Sequence, residues 1–161
     1  MSDSKPDNNE IILSGGRTTT GVVRVGNTVR RPAKKNSEYA NQVLVFLEKK
    51  RFNYSPRYLG KDEENRDVFS YVEGFVPDDL GDTTDQQLHS FMKIVREFHD
   101  VSQDFVKSEI LVLCHDDLSP CNVVFRDDHP FVIIDWDSVH PGERWEDFVH
   151  SLVMDQHWES Y

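Results

Sequence analysis

Alternating apolar and polar positions predict a small β-sheet in the first part of the chain. Residues 22–25 and Thr28–Arg31 have strand character, and the Gly-Asn pair between them is a turn signal, a pattern typical of a β-hairpin. Residues 10–13 and 68–72 are two further short runs of the same kind, the second closing at a Glu-Gly pair. We therefore expect these runs to form one small sheet.

Helical periodicity appears at three places along the chain. The first helix starts at Asn36 or Ser37 and ends in a Lys-Lys-Arg run, which suits the negative end of the helix dipole. The second opens at Thr84 with Thr-Asp-Gln-Gln, which resembles a capping box. The third lies near the end of the chain. Their predicted apolar faces are Tyr39, Ala40, Val43, Leu44 and Leu47; Leu88, Phe91, Val95 and Phe98; and Trp145, Phe148, Val149, Leu152 and Val153.

Three more apolar runs lie between the second and third helices, at residues 111–113, 123–125 and 131–134. The last two are separated only by Arg-Asp-Asp-His-Pro. Two short apolar runs joined by such a polar segment predict a second hairpin.

The order of these elements predicts an α+β fold in two lobes. Residues 1–9 are polar and are expected to be a disordered leader, and residues 10–76 form a β-rich N-lobe with one helix. Residues 77–82 are rich in Asp and Gly, as in a linker. Residues 83–161 then form a helical C-lobe that carries the hairpin.

Composition narrows the class of protein. The 161 residues include 37% hydrophobic and 11% aromatic residues, which suits one domain or two small lobes around a cleft. No run approaches the roughly 20 apolar residues of a membrane span, and the N-terminus has no apolar segment typical of a signal peptide. The two cysteines are too few for a disulfide framework. We therefore expect a cytoplasmic protein with no membrane partner.

The charge is divided unevenly along the chain. Residues 1–61 carry 12 Lys/Arg and 5 Asp/Glu, whereas the remainder carries 6 and 24, and the formal net charge is −11. A basic first half suits phosphate oxygens, and an acidic second half suits metal ions or a cationic acceptor; ordinary solvated surface is the alternative for most of these charges. An acidic chain is a poor nucleic-acid binder, so we expect no nucleic-acid partner.

The strongest chemical signal is the run H-x-D-L-x-x-x-N, which begins at His115 and contains Asp117 and Asn122. An Ile-Asp-Trp-Asp stretch follows it, with Asp135 at the end of an apolar run. This is the catalytic-loop pattern of kinase-type phosphotransferases. In that chemistry Asp117 accepts or orients the acceptor proton, whereas Asn122 and Asp135 hold Mg²⁺. The alternative is a chance pattern of polar loop residues.

These residues together resemble the aminoglycoside phosphotransferase and choline-kinase-like family, which has the protein-kinase fold. The segment at residues 14–31 resembles the trifolitoxin-immunity-type branch of that family. The resemblance implies a two-lobed protein-kinase-like fold that uses ATP or GTP with Mg²⁺. The family usually continues past the equivalent of Tyr161 with further helices, so we expect a truncated, incomplete C-lobe. The apolar face this leaves is a candidate surface for a second copy or a partner.

The resemblance also assigns roles in the N-lobe. Gly15 and Gly16 correspond to the turn over the nucleotide phosphates, where glycine permits close backbone approach. Arg30 corresponds to the strand-borne cation that contacts phosphates, and Glu38 to the acid that pairs with it. Arg31 lies on the opposite face of the strand, so only one of the two arginines can face the cleft.

Four further positions have roles by resemblance. Tyr71 and Val72 belong to the hinge, whose backbone would meet the edge of the base. His115 and Asp147 correspond to residues that support the catalytic loop. Asp116 replaces the glycine found in many members of the family.

The sequence thus favours a phosphotransferase that moves the γ-phosphate of ATP or GTP to a hydroxyl of a small molecule. The acidic second half favours a cationic, aminoglycoside-like acceptor. The main alternative is a non-catalytic immunity or resistance protein that binds nucleotide or another ligand. A degraded gene product with an exposed apolar face is the third.

Overall fold

The computed structural model describes residues 10–13, 21–77 and 84–149. Several predictions lie outside these residues. They are the disordered leader, the turn formed by Gly15 and Gly16, most of the linker, and the end of the third helix.

The first half of the chain contains a five-stranded antiparallel sheet with the order β1-β2-β3-β5-β4. Its strands are β1 (Ile11–Ile12), β2 (Val23–Val25), β3 (Thr28–Arg31), β4 (Tyr58–Lys61) and β5 (Asp67–Ser70). The predicted β2–β3 hairpin is confirmed, with Gly26 at φ 57° in its turn. Two details differ from the prediction: β4 was not expected, and β5 ends at Ser70, so Tyr71 and Val72 follow the strand.

Helix α1 (Ser37–Lys49) packs on this sheet where the periodicity predicted a helix. Its buried positions include Ala40, Val43, Leu44 and Leu47. These four residues recur at intervals of three or four, so they form one apolar stripe. The predicted first helix is confirmed.

Helix α2 (Asp85–Val106) begins with the predicted capping box. The Thr84 side chain accepts the backbone N–H of Gln87, and the Gln87 side chain accepts that of Thr84. Val95 and Phe98 are buried on its inner face, but Leu88 is 49% exposed. The apolar face therefore begins later along the helix than the sequence predicted.

The rest of the described chain consists of short elements. They are β6 (Val112–Cys114), a 3-10 turn (Pro120–Asn122), β7 (Val123–Arg126), β8 (His129–Ile133), a second 3-10 turn (Trp136–Ser138), β9 (His140–Gly142) and helical residues 144–149. Strands β7 and β8 form the predicted hairpin, with positive φ at Asp127 and Asp128 as in a type I′ turn. Strands β6 and β9 form a second antiparallel pair, which was not predicted.

Within the described residues, one hydrophobic core extends across both halves of the chain. It contains the inner faces of α1 and α2, Phe69 from β5, and Trp136 from the second 3-10 turn. Phe98 and Trp136 meet edge to face, with ring centroids 4.9 Å apart. Trp136 therefore anchors the segment that carries Asp135 to the packed interior.

The two halves are also joined by backbone hydrogen bonds. Phe75 and Phe125 exchange N–H···O bonds of 2.9 and 2.7 Å, and the Ile133 N–H donates to the Tyr54 carbonyl at 2.9 Å. Gly74 lies against this junction, where an added Cβ would clash with the carbonyl oxygen of Phe125. The segment after β5 is therefore held tightly on β7.

None of the helices in the described ranges is both long enough and apolar enough to cross a membrane.

Candidate active site

Asp147, on the helix at residues 144–149, holds the loop that follows β6 through hydrogen bonds to the loop backbone. One carboxylate oxygen of Asp147 accepts the backbone N–H of His115 at 3.1 Å, and the other accepts that of Asp116 at 2.9 Å. Asp147 is fully buried. Because two consecutive amides are fixed to one rigid carboxylate, the backbone leading into Asp117 has a defined direction.

A histidine on α2 completes this support. His99 Nε2 lies 2.7 Å from Asp147 Oδ2, and both side chains are buried. Burial acts to raise the pKa of Asp147, but the hydrogen bonds from His99 and from the two loop amides outweigh it and lower the pKa. Asp147 is therefore ionised at neutral pH, which strengthens each of these hydrogen bonds.

His99, Asp147 and Cys114 bring their nitrogen, oxygen and sulfur atoms within 4.8 Å of one another. The Cys114 thiol donates to the Glu143 carbonyl at 3.3 Å. Burial, followed by the charge of Asp147, raises the pKa of this thiol to about 12. Cys114 is therefore a thiol in this environment, bonded to the Glu143 carbonyl, while His99 and Asp147 bond to each other.

His115 connects the loop to the segment that carries Asp135. Its Nε2 lies 3.1 Å from the Ile134 carbonyl, and its ring packs edge to face on Trp136 at a centroid distance of 4.8 Å. Complete burial lowers the pKa of His115, although the charges of Asp147, Asp117 and Asp135 oppose the shift. A neutral imidazole that donates from Nε2 to a carbonyl is a structural group rather than a proton acceptor for substrate.

Asn122 links the same two segments a second time. Its side-chain Nδ2 donates to the Asp117 carbonyl at 3.0 Å, and its backbone carbonyl accepts the Ile134 N–H at 2.8 Å. The three predicted residues Asp117, Asn122 and Asp135 are thus tied together through adjoining backbone. The Asp117 carboxylate is half-buried, and it makes no hydrogen bond or ion pair with another of the described residues.

Asp135 faces a basic residue from the sheet. It has φ 61°, a conformation that asparagine and aspartate tolerate better than most residues. Arg31 Nη1 donates to Asp135 Oδ1 at 3.0 Å. The other nitrogen of the fork, Nη2, donates to Asp137. Lys34 Nζ lies 2.6 Å from the second oxygen of Asp137. We call these four residues the basic–acidic cluster.

The position of Arg30 differs from the expectation. Arg30 pairs in the register with Val23 and Val68, so its side chain points to the sheet face opposite to that of Arg31. Its guanidinium lies 3.6 Å from Asp62. Glu38 is exposed on α1 and makes no ion pair with another of the described residues. Arg31, rather than Arg30, is therefore the arginine next to Asp135.

The predicted hinge lies at a cavity of about 470 Å³. The Tyr71 N–H is already used, since it donates to the Asn27 carbonyl at 2.8 Å. The Tyr71 ring is covered by the guanidinium of Arg24, 3.7 Å from the ring centroid. The cavity walls include Tyr71 and Val72 together with Arg24, Phe52, Arg126 and Phe131, whereas the basic–acidic cluster is elsewhere.

Known proteins resemble this chain in the segment that contains the candidate site. A model of the phosphotransferase enzyme family matches residues 106–160, the segment that contains the loop, Asp135 and Asp147. The trifolitoxin immunity protein of Rhizobium leguminosarum bv. trifolii is 31% identical over 152 residues. The last part of the described chain is thus similar to the phosphotransferase enzyme family, and most of the chain is similar to the immunity protein. The match covers 83% of this chain and 57% of the immunity protein, so the chain spans little more than half of that curated relative.

Comparison with solved structures shows that the chain has a kinase-like fold. A ternary complex of APH(2″)-IIa with streptomycin and ATP superposes with a TM-score of 0.65 at 15% identity, covering 88% of this chain and 70% of that one. A choline/ethanolamine kinase family protein from Mesorhizobium loti superposes with a TM-score of 0.56 at 15% identity. The match covers 82% of this chain and 59% of that one. A macrolide 2′-phosphotransferase from Brachybacterium faecium superposes with a TM-score of 0.53 at 13% identity. The match covers 80% of this chain and 65% of that one. The predicted fold class is confirmed.

Within this kinase-like fold, sequence reasoning missed two residues of the site. Arg31 was set aside for Arg30, because the alternation of β3 separates the two side chains but does not show which face meets the second half of the chain. His99 was not considered, although it follows Phe98 at the end of the apolar face of α2. A polar residue at a predicted core position is the signal that would have identified it.

Proposed function

We propose that the protein is a phosphotransferase that moves the γ-phosphoryl group of ATP or GTP to a hydroxyl of a small molecule. In this reaction the acceptor oxygen bonds to the γ-phosphorus, and the bond from that phosphorus to the β–γ bridging oxygen breaks. The proton of the acceptor hydroxyl passes to the Asp117 carboxylate, which is half-buried and has no competing ion pair among the described residues.

The residues at Asn122 and Asp135 fit a bound Mg²⁺, which prefers oxygen ligands. Because Asn122 Nδ2 donates to the Asp117 carbonyl, its Oδ1 is the atom left for a cation. Asp135 is 32% exposed and uses only Oδ1 toward Arg31. A bound Mg²⁺ would neutralise charge on the phosphate oxygens during transfer.

Arg31 supplies the cation for the phosphates in this proposal. A guanidinium presents a planar fork of donors that matches phosphate oxygens, and Arg31 already reaches the carboxylate assigned to the metal. The proposal therefore moves the role of phosphate cation from Arg30 to Arg31. In this proposal Gly15 and Gly16, which lie outside the described residues, stay assigned to the phosphates, and Tyr71 and Val72 stay assigned to the base.

The observation that carries the proposal is the double connection of the loop to the Asp135 segment. His115 and Asn122 bond to the carbonyl and the N–H of Ile134, while Asp147 fixes the loop from below. Positioning of this kind supplies much of the rate in phosphoryl transfer, where the protein contributes mainly geometry and electrostatics.

Transfer of label from γ-labelled ATP and GTP to a panel of hydroxyl compounds tests the proposal. We expect transfer to at least one acceptor, and the acidic second half of the chain favours cationic acceptors such as amino sugars. Transfer only to neutral or anionic acceptors would rule out that preference. Absence of transfer together with absence of nucleotide binding would rule out the phosphotransferase.

A second candidate is a non-catalytic immunity protein that binds nucleotide or another ligand through the same cleft. The 31% identity to a protein named for trifolitoxin immunity favours it. Nucleotide binding with Mg²⁺ but without transfer to any acceptor would support this candidate. A partner or a second copy on the C-lobe remains part of either proposal.

A further inference from the structure

Arg31 stands between two carboxylates that belong to the same short segment. One nitrogen of its fork donates to Asp135 at 3.0 Å, and the other donates to Asp137. The side chains of Arg31 and Asp137 are only 11% and 16% exposed. Lys34 closes the far side of Asp137 at 2.6 Å. Two cations and two anions thus meet, with Arg31 and Asp137 mostly buried and Lys34 and Asp135 partly exposed, and the basic–acidic cluster has no net charge.

Asp137 pairs with Arg31. In the kinase-like pattern, an acid on the first helix pairs with the cation that contacts the phosphates. Glu38, at the matching helix position, is exposed and is not paired with Arg30 or Arg31. Because the guanidinium is a rigid planar fork, a bond from one nitrogen to Asp137 sets the direction of the other. That direction leads to Asp135, the proposed metal ligand.

We propose that Asp137, supported by Lys34, is the positioning residue for Arg31, and that Arg31 covers Asp135 until nucleotide binds. The inference rests on the proposed function. It adds that a divalent metal ion and the nucleotide enter this site together rather than independently.

The physical argument is a competition for Asp135. Without nucleotide, a metal ion must displace the mostly buried guanidinium of Arg31 from the partly exposed carboxylate of Asp135. A partly buried ion pair is screened less than one at the surface. With nucleotide, phosphate oxygens accept the same donor of Arg31 and release Asp135 Oδ1. The bond to Asp137 keeps Arg31 within reach throughout. Coupling of this kind is reciprocal, so metal must strengthen nucleotide binding as much as nucleotide strengthens metal binding.

Binding of Mn²⁺ alone, followed by electron paramagnetic resonance, tests the covering of Asp135. We expect Arg31→Met to bind Mn²⁺ at least about tenfold more tightly than the wild type, since it removes a charge in hydrogen-bond contact with the ligand. Arg30→Met is the matched control and is expected to match the wild type, because Arg30 pairs with Asp62 on the other face of the sheet. Adding Asp135→Asn to Arg31→Met must remove the gain.

Arg31→Lys provides a second variant in case Arg31→Met does not fold. It keeps the charge but cannot bridge two carboxylates with a planar fork. We expect its affinity for Mn²⁺ alone to lie between those of the wild type and Arg31→Met. Equal Mn²⁺ affinity in the wild type and in the folded Arg31 variants would overturn the inference.

Binding of ATP in the presence of Mn²⁺, measured by calorimetry, tests the role of Asp137. We expect Asp137→Asn to weaken it about tenfold, the scale of a charge-assisted hydrogen bond, and Asp137→Glu to restore most of the loss. Glu38→Gln is the control, expected to bind as the wild type does. A loss with Glu38→Gln and none with Asp137→Asn would overturn the assignment.

The two arms separate this inference from the proposed function. Failure of the wild type to bind ATP with metal contradicts the phosphotransferase, whereas the Mn²⁺-only comparison still tests whether Arg31 covers Asp135. Normal ATP binding with equal Mn²⁺-only affinities contradicts the inference and leaves the function standing.

Discussion

The Asp147 carboxylate accepts the backbone N–H of Asp116 at 2.9 Å, one residue before Asp117. The same carboxylate accepts the His115 N–H and meets His99. A residue near the last described position thus sets the geometry of a loop about thirty positions earlier in the chain. This is the relationship on which the position of Asp117 depends.

Asp147→Asn should therefore loosen the loop. An amide in place of the carboxylate presents an N–H₂ group to at least one of these donors, leaving buried polar groups without partners. We expect a loss of about 2–4 kcal/mol in the free energy of unfolding, measured by urea denaturation, and a loss of phosphoryl transfer. Asp104→Asn, at a carboxylate that is 68% exposed, is the control. Similar losses in both variants would contradict the special role of Asp147.

The stability of the protein should depend on pH through His115. Burial lowers the pKa of His115 in the folded protein, so the unfolded chain binds the extra proton between that pKa and about 6.5. The contribution of neutral His115 to the free energy of unfolding is therefore fully present above about pH 6.5, and it is lost as the pH falls below that value. His115→Gln removes the titration while keeping a hydrogen-bond donor.

The measurement is the difference in unfolding free energy between wild type and His115→Gln at several pH values. We expect this difference to shrink as the pH falls from 7.5 to 5.5. The pKa of His140 shifts in the opposite direction: burial acts to lower it, but hydrogen bonds to the Ser138 carbonyl and to Glu146 raise it. Because both proteins contain His140, its effect on stability cancels in the difference. A difference that stays constant over this range would show that His115 does not titrate as proposed.

Gly74→Ala should separate the hinge from β7. An added Cβ would overlap the carbonyl oxygen of Phe125 and the Val124 side chain. We expect a destabilisation of about 1–3 kcal/mol, typical of overpacking, in thermal or urea unfolding. Gly26→Ala is the comparison, because its Cβ would meet nothing within 4 Å and it carries only the cost of positive φ. An equal effect at both glycines would argue against close packing at Gly74.

Cys114 should resist alkylation. Its pKa is raised to about 12 by burial and by nearby carboxylates, and thiolates rather than thiols react with iodoacetamide. In a Cys121→Ser background we expect no labelling of the folded protein at pH 8 and rapid labelling in denaturant, followed by mass spectrometry. Labelling of the folded protein at the rate of a free thiol would contradict the burial of Cys114.

Much of the fold could be predicted because its signals are local. The β2–β3 hairpin, α1 and the capping box of α2 each depend on residues within one element or one turn. Strands β4 and β9 could not be predicted, since each is short and is a strand only through its pairing with β5 or β6.

The residues of the candidate site also fall into two groups, those assigned from local sequence and those that depend on long-range pairing. Asp117, Asn122 and Asp135 are assigned from a local sequence motif, and their roles stay predictions. The choice between Arg30 and Arg31 depends on which face of β3 meets α1 and the second half, and the pairing of Arg31 with Asp67 on β5 determines that face. Such long-range register is not encoded in β3 itself.

Transfer of the γ-phosphoryl group by Asp117→Asn tests the central claim most directly, with Asp116→Asn as the matched control. Asp116 is the adjacent carboxylate, 46% exposed and at φ 61°, which asparagine tolerates. For Asp117→Asn we predict a loss of transfer of about 10²–10⁴-fold with nucleotide affinity nearly unchanged, and for Asp116→Asn we predict activity close to wild type. Undiminished transfer in Asp117→Asn would contradict the account.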